Sequence, residues 1–408
     1  MTLDPAEHPI AIIGAGPIGL AMAAHMANCS RPFMLLEAGH QAGHSIAEWE
    51  HVRLFTEWPG NIDSEADKLL HATGWRRPPD SNIPTGGELR RDYLLPLANH
   101  PAIRPHLKLN NRVEAVSRRN ADKVKTNGRA AQPFILKIAT PGGERLIEAS
   151  AVVDASGTWF NSNPLHASGL WTAPEKNAGG LIQYGIPDVL GRERDRYAGQ
   201  KTAVIGAGYS AINVILDLAE LRKAAPGTGI SWIVRRPSVD RLLRGAGQDL
   251  LLAQGWLGQR LRQMIERGDV DVVTSFETAA IDSDGQAIVL TDGMGRKLYA
   301  DRLVSCTGFR PDLSLFRELR ADIDPVSECV RGLSDLIDPN RHSCYSVPVH
   351  GVEELAHGEP EFFVIGIKSY GRAPTFLLKT GYEQARAVAA SLCGLTPVAH
   401  PKPSCAAE

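Results

Sequence analysis

The sequence has no pair of cysteines close enough to form a redox-active dithiol of the C-x-x-C type. Its six cysteines are scattered: Cys29, Cys306, Cys329, Cys344, Cys393 and Cys405. The first nine residues are short of both the basic start and the apolar stretch that an export signal needs. We therefore expect all six cysteines to be reduced thiols.

Net charge is nearly absent as well. The 44 Lys and Arg residues almost balance the 46 Asp and Glu residues, so no overall field would recruit nucleic acid or an anionic membrane. No uninterrupted apolar run approaches the roughly 20 residues that a membrane-spanning helix needs. These absences favour a cytoplasmic globular protein without a nucleic-acid or membrane partner, and 408 residues suggest two or three domains.

A glycine-rich turn near the amino terminus has the pattern of a dinucleotide-binding unit. The apolar residues 10–13 predict a strand, the sequence G-A-G-P-I-G follows, and an apolar helical stretch comes next. Gly14 permits the tight turn, Gly16 allows a pyrophosphate to approach, and Gly19 lets the helix pack closely. The helix amides and the helix dipole then favour the phosphates.

An acidic residue follows this turn at the spacing that a ribose-binding carboxylate requires. The second predicted strand, residues 33–36, ends in Glu37, close to the expected distance of about 20 residues. An acid here disfavours a 2′-phosphate, so FAD or NAD fits this site and NADP does not.

The same pattern returns in the middle of the chain. An apolar strand, residues 202–205, precedes G-A-G-Y-S-A, in which Ala211 replaces the third glycine. The next predicted strand ends in Arg235 and Arg236 with no acid. Arginines at this position can pair with a 2′-phosphate, which indicates NADPH; the alternative is a pair of solvated surface arginines.

Three further apolar strands end in small residues, as expected where a bulky cofactor lies against the backbone. They lead into Ser156-Gly157, Thr307-Gly308 and Gly366-Ile367. With the two turns, these complete the predicted cofactor-binding residues: Gly14, Gly16, Pro17, Ile18, Gly19, Glu37, Trp49, Ser156, Gly157, Gly206, Gly208, Tyr209, Ser210, Ala211, Arg235, Arg236, Thr307, Gly308, Gly366 and Ile367.

These motifs together resemble the two-dinucleotide-binding-domain flavoproteins, and more narrowly the flavin-containing monooxygenases, from Ile10 to about Leu392. The carboxy-terminal Gly366-Ile367, Pro374 and Glu383-Gln384-Ala385-Arg386 stand where that family has a Gly-Leu-like turn, a proline and a similar helical stretch. The resemblance implies an α/β fold with two Rossmann-like domains, FAD and NADPH as cofactors, and linkers at Ser156-Gly157 and Thr307-Gly308.

Within that superfamily, the sequence is most similar to small flavin-dependent monooxygenase-like proteins associated with arsenic-resistance operons. The segments that carry this similarity are residues 49–55, 84–89 and 368–376. Two departures concern oxygenation: the stretch 184–191 lacks the fingerprint histidine, and Thr56 is followed by Glu57 instead of an asparagine.

Positive side chains near the flavin would suit the stabilisation of charge on a reduced cofactor. Lys368 and Arg372, in the turn after the last strand, are the predicted catalytic residues, with Arg53 third; surface charge or phosphate pairing is the alternative. Trp49 could cover the flavin or pack in the core. His342, Cys344 and His350 match no zinc spacing, so no metal is predicted, and Cys344 is either a reactive thiol or a buried small side chain.

The predicted domains are an FAD-binding domain in two pieces, 1–160 and 302–408, with an NADPH-binding domain, 161–301, inserted between them and the active site in the cleft. Residues 120–131 are predicted to form a solvated loop. Residues 250–265 are predicted to form a helix whose apolar face packs in the core or against a dimer partner. The tail from about 396 is predicted to be disordered. A homodimer remains open.

Three functions are compatible with this pattern. The first is an FAD- and NADPH-dependent monooxygenase that oxygenates a small soft nucleophile or carbonyl through a flavin hydroperoxide, with a small molecule and molecular oxygen as partners. The second is an NAD(P)H:acceptor reductase or oxidase that passes electrons to a quinone, a metal species or oxygen. The third, a non-catalytic redox-sensing flavoprotein, is disfavoured because two phosphate-binding turns are intact.

Overall fold

The computed structural model describes residues 8–29, 31–240, 252–338, 347 and 350–395, without the side chains of 252–257. The chain divides into two compact units. The first unit runs as far as Trp159 and resumes at Arg310, and the second unit is Phe160–Phe309. No helix in the described ranges is long and apolar enough to cross a bilayer.

Both units contain strands and helices. The strands are β1 (Ile10–Ile13), β2 (Phe33–Leu36), β3 (Leu107–Lys108), β4 (Arg112–Arg118), β5 (Phe134–Thr140), β6 (Gly143–Ala149), β7 (Ala151–Asp154), β8 (Ile182–Tyr184), β9 (Lys201–Ile205), β10 (Gly229–Ile233), β11 (Asp271–Val273), β12 (Thr278–Ser283), β13 (Ile288–Asp292), β14 (Lys297–Ala300), β15 (Arg302–Ser305) and β16 (Phe362–Val364). The helices are α1 (Pro17–Ala27), α2 (His44–Ala47), α3 (Ser64–His71), α4 (Gly86–Leu89), α5 (Leu95–Ala98), α6 (Ala173–Asn177), α7 (Arg194–Tyr197), α8 (Tyr209–Ala224), α9 (Leu252–Glu266), α10 (Ser334–Ile337) and α11 (Leu378–Leu392).

The first unit is built on a five-stranded parallel sheet with the order β16-β7-β1-β2-β3. Its central strands β1 and β7 are buried at every position, which is why they read as short continuous apolar runs without alternation. A separate antiparallel sheet, β4-β5-β6, belongs to the same unit. The predicted Rossmann-like fold is confirmed here.

The second unit repeats the design, with a parallel sheet in the order β11-β10-β9-β15-β8 and an antiparallel sheet β12-β13-β14. Strand β15 pairs with β9 and with β8. The sequence placed this strand in the returning FAD-binding piece from residue 302; in the structure it completes the second sheet, and the change of unit follows Phe309.

Most of the segment 120–131 is exposed, as predicted for a solvated loop. It connects β4 to β5, but Arg129 within it is buried. The Arg129 guanidinium donates to Glu359 at 2.8 Å, and Arg118 donates to the other oxygen of the same carboxylate at 2.8 Å. One polar side chain of this loop, Arg129, therefore belongs to a buried charge network with Arg118 and Glu359.

The helix predicted for 250–265 is present as α9. Leu261 and Met264 are buried on it, as the apolar spacing indicated, whereas Leu250 and Leu251 lie outside the described residues. The tail from about 396, His342 and Cys344 also lie outside them, so the predictions made there stay predictions.

Candidate functional site

The first glycine turn uses each glycine for a different steric reason. Gly14 has φ of +97°, and a Cβ added to it would lie 2.8 Å from the Ala155 carbonyl oxygen. A Cβ on Gly19 would lie 1.8 Å from the Gly14 oxygen. On Gly16 it would meet nothing within 4 Å, so the backbone there is open to a ligand at the start of α1, as a pyrophosphate requires.

Glu37 lies at the end of β2, next to this turn, and is mostly buried. Its carboxylate accepts hydrogen bonds from the Ala15 and Gly39 amides, both at 2.7 Å. A carboxylate has about four lone-pair positions, so two remain for a ribose diol while the amides hold the side chain in place.

The second turn has the same steric logic. Gly206 has φ of +140°, and a Cβ on it would lie 2.4 Å from the Cys306 carbonyl oxygen, whereas a Cβ on Gly208 would meet nothing within 4 Å. Ala211 is completely buried in the first turn of α8. Tyr209 is half-buried and Ser210 is exposed.

Arg235 and Arg236 follow β10 at its carboxyl end and are exposed. Within the described part of the chain, neither guanidinium forms an ion pair. Carboxyl ends of parallel strands are where dinucleotides bind in such sheets. The position and the free charge both fit a 2′-phosphate.

The linker residues take the special backbone conformations that their glycines permit. Gly157 has φ of +72° and Gly308 of +84°. Ser156 is exposed, and the Thr307 hydroxyl donates to the Asn163 carbonyl at 3.1 Å within the second unit.

A buried ion pair lies at the carboxyl edge of the first unit's sheet. The Lys368 ammonium contacts the Asp154 carboxylate at 2.7 Å and the Ser156 hydroxyl at 3.1 Å, and both charged side chains are at most 2% exposed. The same nitrogen lies 5.3 Å from the centre of the Phe316 ring. Lys368 is therefore not a surface charge, and it ties the end of β7 to the turn after β16.

The turn after β16 begins with Gly366, whose φ is +74° and whose amide donates to the Gln384 side chain at 2.7 Å. Ile367 is 42% exposed although both of its neighbours are buried. A Cβ on Gly366 would lie 3.3 Å from Ile18 in the first turn of α1. Three of the predicted cofactor-binding residues are thus close together.

Trp49 is partly buried and lies beside Trp159, with ring centres 6.1 Å apart. A Cβ on Gly86 would lie 2.7 Å from its ring. The side chain both packs in the core and approaches the residues that follow β7.

Arg372 and Arg53 do not join Lys368. Arg372 is 43% exposed and pairs with Glu328 at 2.7 Å. Arg53 is 63% exposed, donates to the Ile83 carbonyl, and lies 4.0 Å from Glu88. Of the three predicted catalytic residues, the structure buries only Lys368 at the sheet edge.

Two residues of this site were not singled out from the sequence. Asp154 is the partner of Lys368, and a charged residue ending an otherwise apolar strand was the available signal. Gln384 is completely buried, holds the Gly366 amide, and contacts the Ser369 hydroxyl at 3.0 Å; its place in the carboxy-terminal motif gave no hint of that contact.

The expectation that every cysteine is reduced is wrong for two of them. Cys29 and Cys393 form a disulfide, with Cα atoms 6.0 Å apart. A separation of 364 residues gives no sequence signal for such a pair. Cys306 and Cys329 are free thiols.

The comparisons with known proteins agree with this geometry. The family model of pyridine nucleotide-disulphide oxidoreductases matches residues 8–328. The chain belongs to the pyridine nucleotide-disulphide oxidoreductase family. A comparison with curated proteins finds no significant match.

Several solved structures share the fold of this family member over nearly its whole length. Bacillithiol disulfide reductase from Bacillus cereus is 15% identical with a TM-score of 0.69, covering 95% of this chain and 99% of its own. The flavin-containing monooxygenase from Stenotrophomonas maltophilia is 20% identical with a TM-score of 0.59, covering 95% and 98%. The FAD-bound cadaverine monooxygenase from Erwinia amylovora is 16% identical with a TM-score of 0.64, covering 98% and 99%.

Family membership confirms the two-dinucleotide flavoprotein architecture and the prediction of FAD and NADPH as cofactors. It also establishes a flavin-dependent oxidoreductase. Both reductases and monooxygenases are among the structures of similar fold, so the fold is compatible with either reaction.

Proposed function

We propose that this protein is an FAD-containing, NADPH-dependent monooxygenase that oxygenates a small soft nucleophile or a carbonyl compound. The first glycine turn, with Glu37, is the FAD site, and the second, with Arg235 and Arg236, takes NADPH. Bound FAD would supply the hydride acceptance and the reaction with oxygen. The protein's part is to bind, orient and stabilise charge.

The placement of the cysteines is the observation that carries this proposal. Disulfide reduction through a protein thiol needs a reactive sulfur at the nucleotide edge. In the described residues, the Cys29–Cys393 disulfide joins the ends of α1 and α11 that lie away from the glycine turn. Burial raises the pKa of Cys306 to about 12 and also raises that of Cys329, so neither is a ready nucleophile. Within the described part of the chain, this favours direct transfer of electrons to a diffusible acceptor over transfer through a protein thiol; Cys344 and Cys405 lie outside it.

Lys368 has a positioning role in this proposal. Its ammonium holds the Asp154 carboxylate and the Ser156 hydroxyl together, which orients the Ser156-Gly157 turn predicted to contact FAD. Arg372 and Arg53 stay predictions.

The decisive experiment follows the fate of oxygen. NADPH and ¹⁸O₂ are supplied with four probes of different chemistry: methyl p-tolyl sulfide, cadaverine, arsenite and cyclohexanone. The amine is included because the cadaverine monooxygenase shares the fold. We expect one probe to gain one ¹⁸O atom and to lower the yield of hydrogen peroxide per NADPH.

A matched control uses Gly208→Val, which fills the open face of the second turn and should abolish NADPH oxidation. If all electrons from NADPH appear as hydrogen peroxide, or in a reduced quinone, the protein is an oxidase or reductase. The oxidase or reductase alternative has support, because the stretch 184–191 lacks the histidine of the monooxygenase fingerprint. If NADPH is not oxidised at all, both catalytic proposals fail.

A further inference from the structure

The disulfide between Cys29 and Cys393 joins two helices that flank the first nucleotide turn. Cys29 lies just after α1, and Cys393 caps the carboxyl end of α11. Both residues are half-buried and pack against the core of the first unit. This differs from Cys329, which is completely buried.

At their other ends, the same helices meet beside the predicted cofactor site. Gly381, in the first turn of α11, lies against Ile18 in the first turn of α1; a Cβ on Gly381 would be 2.5 Å from the Ile18 Cδ1 atom. The helices therefore lie side by side in the same direction. Their amino ends touch at the nucleotide turn, and their carboxyl ends are joined by the disulfide.

Helix α11 also holds two other backbone segments of the first unit. Gln384 accepts the Gly366 amide at 2.7 Å, and the Tyr382 hydroxyl donates to the Asn61 carbonyl at 2.7 Å. A shift of α11 relative to α1 would consequently move Gly366 and the Ile18 contact together, and both belong to the predicted FAD site.

Besides the disulfide, the carboxyl end of α11 is held by Val388, Ala389 and Leu392, which are buried in the core of the first unit. Arg31 donates to the Leu392 carbonyl at 2.7 Å and to the Ser150 hydroxyl at 3.0 Å. Both hydrogen bonds are part-buried, and such bonds contribute only modestly to the stability of the folded state. Opening the disulfide would remove the covalent tie at the carboxyl end of α11, while the buried side chains keep the unit folded.

We propose that Cys29–Cys393 is a reversible redox modification site that controls how tightly FAD is retained. A dithiol reductant donates two electrons and two protons. Its own two sulfhydryl groups become a disulfide, and each protein sulfur becomes a thiol. The thiol form has a freer α11, and FAD leaves it faster.

The test measures FAD release from the full-length holoprotein, purified without reductant, in the presence and absence of dithiothreitol. Non-reducing peptide mapping should recover the Cys29–Cys393 link before reduction. After dilution, free-flavin fluorescence should rise at least about fivefold faster with the dithiol, the change that about 1 kcal/mol would produce. Reoxidation with diamide should restore the slow rate.

Two variants separate the disulfide from other effects of the reductant. Cys393→Ser without dithiol should release FAD as fast as the reduced wild type and should not respond further. Cys329→Ala should retain the full response. The comparison of oxidised and reduced wild type requires no variant to fold.

Two results would overturn the proposal: recovery of Cys29 and Cys393 as thiols after diamide treatment, or an FAD release rate that is the same in both redox forms. Neither result depends on turnover, so both test the redox proposal independently of whether the protein is a monooxygenase. A preparation without flavin would refute FAD retention while the peptide map still reported the disulfide.

Discussion

The buried pair of Lys368 and Asp154 leads to a quantitative prediction about stability. Both side chains are at most 2% exposed and their charged atoms are 2.7 Å apart. Replacing Lys368 by Met leaves a buried carboxylate that keeps the Ser156 amide, at 3.0 Å, but loses its counter-charge. Removing one partner of a buried pair typically costs about 3–5 kcal/mol. We expect Lys368→Met to lower the free energy of unfolding of the first unit by that amount.

A double-mutant cycle tests the reason for the loss. The variant Lys368→Met/Asp154→Asn has no unpaired charge, and an Asn side chain can still accept the Ser156 amide. It should be at least about 2 kcal/mol more stable than the sum of the two single changes predicts, because the single-variant penalty comes from an uncompensated charge. The exposed Lys379→Met is the matched control and should change stability by no more than about 0.5 kcal/mol.

Urea unfolding of the holoprotein, followed by tryptophan fluorescence, provides the measurement. Because bound FAD adds stability that depends on its concentration, the series is repeated at two FAD concentrations to separate weaker binding from weaker folding. If the free energy of unfolding of Lys368→Met is within about 1 kcal/mol of that of wild type, the argument is refuted, because removing the cation of a buried ion pair should cost about 3–5 kcal/mol. Strict additivity in the cycle would refute it as well.

The remaining predictions concern the nucleotide turns and pH. Gly16→Ala should fold but bind FAD at least about tenfold more weakly, a loss of about 1.4 kcal/mol. Gly19→Ala should give little folded protein, because its Cβ would lie 1.8 Å from a backbone oxygen. Flavin content and circular dichroism distinguish the two variants, and normal FAD affinity in Gly16→Ala would contradict the assignment of this turn to FAD. Arg235→Ala/Arg236→Ala should raise the KM for NADPH at least about tenfold, as expected for lost charged hydrogen bonds of about 1.5–3 kcal/mol, and leave that for NADH unchanged; an equal rise for both would show that the arginines do not bind the 2′-phosphate. Burial lowers the pKa of His357 to about 4 from 6.5. Since the unfolded state then binds the proton more readily, stability should fall by at most about 3 kcal/mol as the pH drops from 6.5 to 4, and His357→Gln should lack that part of the slope.

Much of the fold could be predicted from local sequence. The two glycine turns, the strands before them and the apolar runs of β7, β15 and β16 each carry their own steric or hydrophobic signature within about ten residues. The assignment of β15 failed because a short apolar strand contains no information about which sheet it joins. Pairing with β9 decided that.

The candidate site could be predicted only in part, for a related reason. Lys368 was singled out by its position after a strand, but its partner Asp154 is 214 residues away in the sequence. The sequence could not distinguish Lys368 from Arg372, four residues later, because both are basic and both follow the same strand. Burial separates them: one neutralises Asp154 inside the unit, and the other pairs with Glu328 near the surface.

By itself, the sequence determined that this protein has two dinucleotide-binding units, because glycine positions depend on backbone sterics that act over a few residues. Only the tertiary structure decided which distant residues become partners. The parallel order β16-β7-β1 brings Lys368 to Asp154, and the side-by-side packing of α1 and α11 brings Cys29 to Cys393. Such contacts depend on how strands and helices are ordered in space, a property that the residues flanking each partner do not encode.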